Sequence, residues 1–293
     1  MDSTPLYRGR FAPSPSGSLH FGSLVAALGS YLEARSQNGA WLLRLEDLDT
    51  ARNLPGAEAD ILRCLEGFGL EWDGPVVRQS ARLAHYEAAL EALLREGRAY
   101  PCGCSRREIL SHEDAEAGEA RYPGTCRAGL PSGKNIRSFR YKTNELEIVF
   151  KDKLYGEMRQ RVDQSVGDFV IRRADGPFAY QLAVVVDDAA QGITHVVRGA
   201  DLRDSTPRQI ALQHALGLPT PHYMHLPLVR NAQGEKLSKQ TRAPAVVPDA
   251  AILRAALRFL GQPEAPEGLG PDLKNILKYA VQHYDYRLIK KDL

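Results

Sequence analysis

Arg10-Phe11-Ala12-Pro13-Ser14-Pro15-Ser16-Gly17-Ser18-Leu19-His20-Phe21-Gly22-Ser23 is the stretch from which the fold is read. Tyr7 to Phe11 is a strand candidate that runs into a turn rich in Pro and Ser. A helix follows, with Leu24, Leu28 and Leu32 at fourfold spacing, Val25 and Tyr31 alongside, and Gly39 just beyond its end. Trp41 to Glu46 is mostly apolar, as a buried parallel strand should be. Two further helical patterns run through Ile61, Leu62, Leu65 and Phe68, and through Leu83, Tyr86, Leu90 and Leu94. Strand, helix, strand, helix predicts an α/β fold on a parallel, doubly wound sheet. His20 and Gly22 fall at the start of the first helix, where unpaired N–H groups and a partial positive charge suit a polyphosphate. Gly22 would let an adenine or ribose approach the backbone closely, and His20 could donate to a phosphate oxygen. Alone, the same His-Phe-Gly also reads as a capped helix with a half-buried histidine.

The alternation breaks at Tyr100. Residues 100–133 are polar and rich in Cys, Gly and Pro, and Ser138 to Arg161 alternates like antiparallel strands. The expected organisation is residues 1–99 as the first half of a nucleotide-binding domain, 100–175 as an insertion, and 176–240 as the second half. The second half carries the apolar Leu182–Val186 segment, a strand over Thr194–Arg198 and a helix over Pro207–Leu216. Residues 241–293 form a short, mostly helical segment.

Composition bounds the function. Of 293 residues, 43% are hydrophobic and 25% charged, enough for a sizeable core. Lys and Arg number 38 against 36 Asp and Glu, a net charge of +2, so any RNA-binding surface has to be a local patch. No apolar run approaches the roughly 18 residues of a membrane helix, and Met1-Asp2-Ser3-Thr4-Pro5 lacks the features of a secretory signal. A cytoplasmic, monomeric enzyme without a membrane partner is expected.

A second stretch, Lys236-Leu237-Ser238-Lys239-Gln240, follows the loop Asn231-Ala232-Gln233-Gly234. Two lysines three apart on a mobile loop can fold over a triphosphate and follow its charge into the transition state. Together the two stretches resemble the paired signatures of class I aminoacyl-tRNA synthetases. Arg44-Leu45-Glu46-Asp47-Leu48-Asp49 and Val197-Arg198-Gly199-Ala200-Asp201 are similar to the glutamyl branch, and the resemblance spans positions 7 to about 242. It implies a Rossmann-type sheet, with His20, Lys236 and Lys239 catalytic and with His20, Gly22 and Lys239 at ATP. Magnesium is expected with ATP, and no protein ligand for it is assigned. Two departures stand out: Ser23 where His ends the commoner first signature, and Leu237 for the usual Met in the second.

Glutamate carries two carboxylates and one ammonium, so its site needs cations for the first and an acid for the second. By the resemblance, Arg10 and Arg198 hold carboxylate, which guanidinium does bidentately. Glu46 takes the ammonium, Tyr180 walls the pocket, and Phe11, Ala12, Pro13 and Ser14 line it.

Cys102, Cys104 and Cys126 lie in the irregular insertion, whereas Cys64 sits in a helical pattern as a core residue. Three thiolates on short loops suggest structural zinc, which takes four ligands in a tetrahedron. General preference looks for a fourth Cys or a His, and His112 is the histidine nearby. The resemblance implies Tyr122 instead, since short members of the branch use a Cys-x-Cys, Tyr, Cys set. A phenol is otherwise a poor ligand because its pKa lies near 10.

Between Lys134 and Arg161 there are 8 Lys and Arg against 4 Asp and Glu, with Phe139, Tyr141 and Tyr155 interleaved. This reads either as a grip on RNA phosphates with stacking for a loop base, or as the polar face of a sheet. Only 53 residues follow Gln240, where long members of the branch continue into a domain that reads the anticodon. A radius of gyration of about 19 Å spans one end of a tRNA. The short members form glutamyl-adenylate without tRNA and esterify glutamate onto the cyclopentenediol of queuosine in the anticodon loop of tRNA(Asp). That is the expected function, with L-glutamate, ATP and the queuosine-bearing anticodon arm as partners. Two others share these motifs: charging of the acceptor end, and a non-catalytic regulator that binds glutamate or an adenylate.

Overall fold

The computed structural model describes residues 7–110, 121–144, 147–231, 233–237 and 244–291. The chain opens with strand β1 (Arg8–Phe11), helix α1 (Phe21–Ser36), strand β2 (Ala40–Leu45), helix α2 (Ala57–Gly67), strand β3 (Val77–Arg78) and helix α3 (Leu83–Arg95). β1 pairs with β2 and β2 with β3, both in parallel, with Arg10 opposite Leu42. The apolar side chains at fourfold spacing, Leu24, Leu28 and Leu32, are buried on the inner face of α1.

The middle of the chain contains β4 (Ala99–Cys102), α4 (Arg106–Leu110), β5 (Ser138–Tyr141), β6 (Glu147–Asp152), β7 (Gly156–Arg161), α5 (Val162–Ser165) and β8 (Phe169–Arg172). Then come α6 (Tyr180–Ala190), β9 (His195–Gly199), α7 (Thr206–Ala215), β10 (His222–Leu226), α8 (Ala250–Phe259) and α9 (Leu273–Gln282).

Residues 100–175 divide between two sheets. β4, β5 and β8 form a small antiparallel sheet, while the β6–β7 hairpin joins the parallel pair β9–β10 by way of Tyr223 opposite Asp152. That sheet meets the first one where the Thr194 N–H donates to the Arg8 carbonyl at 2.9 Å. A close approach marks the join: a Cβ on Gly29 of α1 would lie 2.6 Å from Leu226 Cδ1 of β10, so a larger residue there would require the Leu226 side chain to shift.

Two large apolar cores form among the described residues, beside a small cluster of Tyr100, Cys102, Cys104, Tyr122 and Cys126. The first gathers α1, β2 and α2 with Leu253 and Leu257 of α8 and Ile276 and Leu277 of α9; the second gathers α3, α6 and α7 against β5 and β8. The two late helices are started by Asp249 and Asp272, whose carboxylates accept backbone N–H groups of the first turn. The aromatics of the basic run from Lys134 to Arg161 take different positions in this arrangement. Tyr141 is buried beside Phe169, Phe139 packs on the second core, and the Tyr155 hydroxyl donates to the Lys291 carbonyl. Alternation reveals that one strand face is covered, not which sheet does the covering.

No helix among the described residues is long and apolar enough to cross a membrane.

Candidate active site

The predicted strand–turn–helix places His20 at the N-cap of α1. Its Nδ1 accepts the Ser23 N–H at 3.3 Å, so the ring proton sits on Nε2. The second signature returns to this point. His20 bridges to Ala245, the Val246 N–H donates to the Leu19 carbonyl, and a Cβ on Gly22 would stand 3.6 Å from the Leu237 carbonyl oxygen. Lys236 pairs with Asp201 at 2.5 Å on the same rim. Ser238, Lys239 and Gln240 lie outside the described residues, as does His112.

Behind this rim, Arg10, Glu46, Tyr180 and Arg198 are brought together from β1, the end of β2, the start of α6 and β9. Burial raises the Tyr180 phenol pKa, and its electrostatic neighbours are Arg198, Glu46, Arg10 and Asp188. Burial also raises the Glu46 pKa, outweighing the pull of Arg44 and Arg10. Pro13 contributes its carbonyl to the Glu46 N–H at 3.0 Å. Phe11 turns the other way on β1, stacking on Trp41 at 6.2 Å in the first core, so its ring lies apart from this group.

The two pocket arginines differ in what neutralises them. Arg10 directs Nε and Nη2 to Asp188 at 3.1 and 3.5 Å. Arg44, fully buried, shares Asp188 at 2.8 Å and touches Glu46 at 3.4 Å and Asp187 at 3.9 Å. Burial alone would depress Arg44, but Asp188, Glu46 and Asp187 hold it charged. Burial works equally against Asp188, and Arg10 and Arg44 keep its carboxyl below the ordinary range.

Arg198 is as buried, at 6% exposure, yet its partners are all neutral. Nε donates to His225 Nε2 at 3.2 Å. Nη1 donates to the Tyr180 hydroxyl at 3.3 Å and to Gln209 Oε1 at 2.8 Å, and Nη2 to the Leu202 carbonyl at 3.3 Å and Thr206 Oγ1 at 2.7 Å. Among the described residues no carboxylate pairs with it. A buried guanidinium held by neutral acceptors keeps its full charge, and its orientation is already set.

Asp187, Asp188, Asp152, His225, Thr206 and Gln209 escaped the sequence reading. The one local signal was the acidic pair Asp187-Asp188 closing an apolar helix, where charge has no place without a partner.

The cysteine cluster is a separate construction. Cys102, at the end of β4, and Cys104 and Cys126 bring their sulfurs within 4.8 Å of one another, all buried. Cys104 and Cys126 Sγ stand 3.7 Å apart. Tyr122 Oη lies 3.3 Å from Cys102 Sγ and 3.6 Å from Cys104 Sγ, which brings the phenol into the same cluster. Burial works to raise the Cys102 thiol, but hydrogen bonding to Tyr122 and Arg140 wins and brings it down to about 7. The Arg140 guanidinium also lies 3.8 Å over the Tyr122 ring. Cys64 is buried in α2, away from this group.

Comparisons with known proteins show the family of the chain. Residues 7–254 match the family model for "tRNA synthetases class I (E and Q), catalytic domain". The chain is 56% identical over 291 residues to the glutamyl-Q tRNA(Asp) synthetase of Dechloromonas aromatica (strain RCB), covering 97% of this chain and 96% of that one. It is 59% identical over 261 residues to the glutamyl-Q tRNA(Asp) synthetase of Chromobacterium violaceum, covering 88% of each. Among solved structures it is similar to a glutamate tRNA ligase from Elizabethkingia meningosepticum in complex with its amino acid. There the TM-score is 0.79 at 28% identity, over 97% of this chain and 66% of that one. The chain belongs to the glutamate and glutamine (E and Q) family of class I tRNA synthetase catalytic domains.

Proposed function

We propose that this chain activates L-glutamate with ATP, independently of tRNA, and transfers it in the cytoplasm to the queuosine cyclopentenediol in the anticodon arm of tRNA(Asp). The observation that carries glutamate binding is Arg198, a buried guanidinium with no carboxylate partner among the described residues. A substrate carboxylate supplies that counter-charge by sharing or displacing the long contact to Tyr180. Arg10, its charge shared with Asp188, flanks the same carboxylate site, Glu46 receives the ammonium, and Ala12, Pro13 and Ser14 form the backbone wall with Phe11. The choice of acceptor is supported by relatives at 50–59% identity over most of both chains, all named glutamyl-Q tRNA(Asp) synthetase.

In the first step the α-carboxylate oxygen attacks the α-phosphorus of ATP, the P–O bond to the leaving group breaks, and pyrophosphate departs. His20 Nε2–H, at the positive end of α1, stabilises charge building on the phosphate. Gly22 gives the nucleotide access to the helix start, and Lys236 and Lys239 follow the departing pyrophosphate. In the second step the queuosine hydroxyl attacks the acyl carbon of the mixed anhydride, its proton passes to the adenylate phosphate, and AMP leaves with the electrons of the broken C–O bond. Magnesium accompanies ATP.

Cys102, Cys104, Tyr122 and Cys126 would hold one structural zinc. Tetrahedral zinc with Zn–S bonds of about 2.3 Å sets its sulfurs about 3.7 Å apart, the separation found between Cys104 and Cys126. Zinc would supply the positive charge that lets three thiolates and a phenol share one buried volume.

The test offers ATP and labelled glutamate with tRNA(Asp) and tRNA(Glu), each with and without queuosine and with the 3′ end removed enzymatically. Label on end-trimmed, queuosine-bearing tRNA(Asp) alone is the expected result. Label only on intact tRNA(Glu) would assign acceptor-end charging instead. Lys239→Ala should slow ATP–pyrophosphate exchange far more than it weakens glutamate binding.

A further inference from the structure

We infer that Asp152 and His225 are positioning residues that hold Arg198 in its carboxylate-binding orientation through the tautomer of the His225 ring. The inference rests on the reading of Arg198 as a glutamate ligand and explains how the fold secures it.

An arginine Nε–H can only donate, so His225 Nε2, 3.2 Å from Arg198 Nε, has to be an unprotonated acceptor. The ring proton therefore lies on Nδ1 and is donated to Asp152 Oδ2 at 2.7 Å. Asp152 is itself fully committed. Oδ2 also accepts the His225 N–H at 3.1 Å, and Oδ1 accepts the N–H groups of Leu154 and Tyr155 at 2.9 Å each. Four donors converge on two oxygens, a demand that a carboxylate meets and an amide cannot. Asp152 and His225 are both completely buried, so no water is available to repair a mismatch. Burial, together with the neighbouring Arg198 charge, favours the neutral ring over the imidazolium.

The relay also spans the fold. Asp152 closes β6, His225 lies in β10 and Arg198 in β9, so the hairpin within residues 100–175 sets the aim of a side chain in the second half of the α/β domain.

An asparagine at 152 that keeps its oxygen on Leu154 and Tyr155 turns its NH2 toward His225. That makes Nδ1 the acceptor, moves the proton to Nε2 and sets it against the Arg198 Nε–H. A glutamine at 225 offers Arg198 a carbonyl oxygen whichever residue stands at 152, whereas a leucine offers nothing.

The experiment is tRNA-independent ATP–pyrophosphate exchange on the full chain, reading KM for glutamate and KM for ATP separately, with folding checked by thermal melting. D152N is expected to raise the glutamate KM about 10- to 100-fold and leave the ATP KM within about twofold. Adding H225Q to D152N should recover most of that loss. H225L should match D152N, and H225Q alone should stay within about threefold of the parent. If D152N does not fold, the contrast between H225Q and H225L decides. Equal glutamate KM values for H225Q and H225L, or no recovery in the double variant, would overturn the relay. If R198A leaves the glutamate KM unchanged, the reading of Arg198 fails instead.

Discussion

The pocket floor and the cysteine cluster are both buried polar constructions, completed in opposite ways. On the floor, Arg10 and Arg44 clasp Asp188, and Asp187 is claimed by Gln79, Arg82 and Tyr86, so charge is cancelled inside the chain. In the cluster, three sulfurs and a phenol converge on one another, and the cations nearest them, Arg140 and Lys134, sit at 3.4 and 3.9 Å from single sulfurs. A network that neutralises itself is a frame. A convergence of like donors is a group that could hold a metal ion. Arg198 lies between the two, with its hydrogen bonds filled and its charge open.

Breaking the frame should have the largest effect. Asp188→Ala leaves Arg10 and Arg44 buried without their shared carboxylate, and urea unfolding should record a loss of about 3–5 kcal/mol. A loss below about 1 kcal/mol would mean that the frame is not closed.

Completing the cluster comes next. Free zinc a hundredfold above its Kd should stabilise the protein by about 2.7 kcal/mol, reversed by a chelator, with Cys126→Ser lowering both the gain and the bound metal. No bound metal and an unchanged melting curve would reduce the cluster to four neutral side chains.

Arg198→Lys keeps the open charge but removes the fork. It should cost about 2 kcal/mol, roughly 30-fold in kcat/KM for glutamate, with the ATP KM unchanged. An equal loss for both substrates would erase the distinction between Arg198 and the frame.

The pH dependence is gentler. Burial, with His222 and Lys153 nearby, depresses His195 to about 4. The unfolded chain then takes up the proton first, at about 6.5, so stability is full above that value and falls as pH drops toward 4. His225, also depressed, adds to the same slope. Urea midpoints between pH 7.5 and 4.5 should decline less steeply in His195→Phe; identical slopes would exclude His195.

The smallest stability effect belongs to Lys236→Ala. Its pair with Asp201 is partly exposed, so unfolding should shift by less than about 1 kcal/mol while adenylate formation slows.

The opening of the molecule was legible because its signals are local. Leu24, Leu28 and Leu32 on one face, and a mostly apolar Trp41–Glu46, allow few alternatives to β1–α1–β2. His20 at a helix start and Cys102-Gly103-Cys104 were legible for the same reason. The β6–β7 hairpin was legible as a hairpin, but not as a neighbour of β10, because an alternating pattern carries no information about its partner. The burial of Tyr141 was not legible on the same grounds.

The sequence by itself determined the α/β class, the two signature segments, the cysteine set and the residue types a glutamate pocket requires. All of these depend on spacing within one segment or on motifs read in order. Only the tertiary structure decided which arginine keeps its charge open. Arg10 meets Asp188 across 178 residues, and Asp152 meets His225 across 73. Whether a buried charge is cancelled or left for a ligand depends on which carboxylate the fold brings within about 4 Å, because Coulomb attraction and desolvation act on distance in space rather than along the chain.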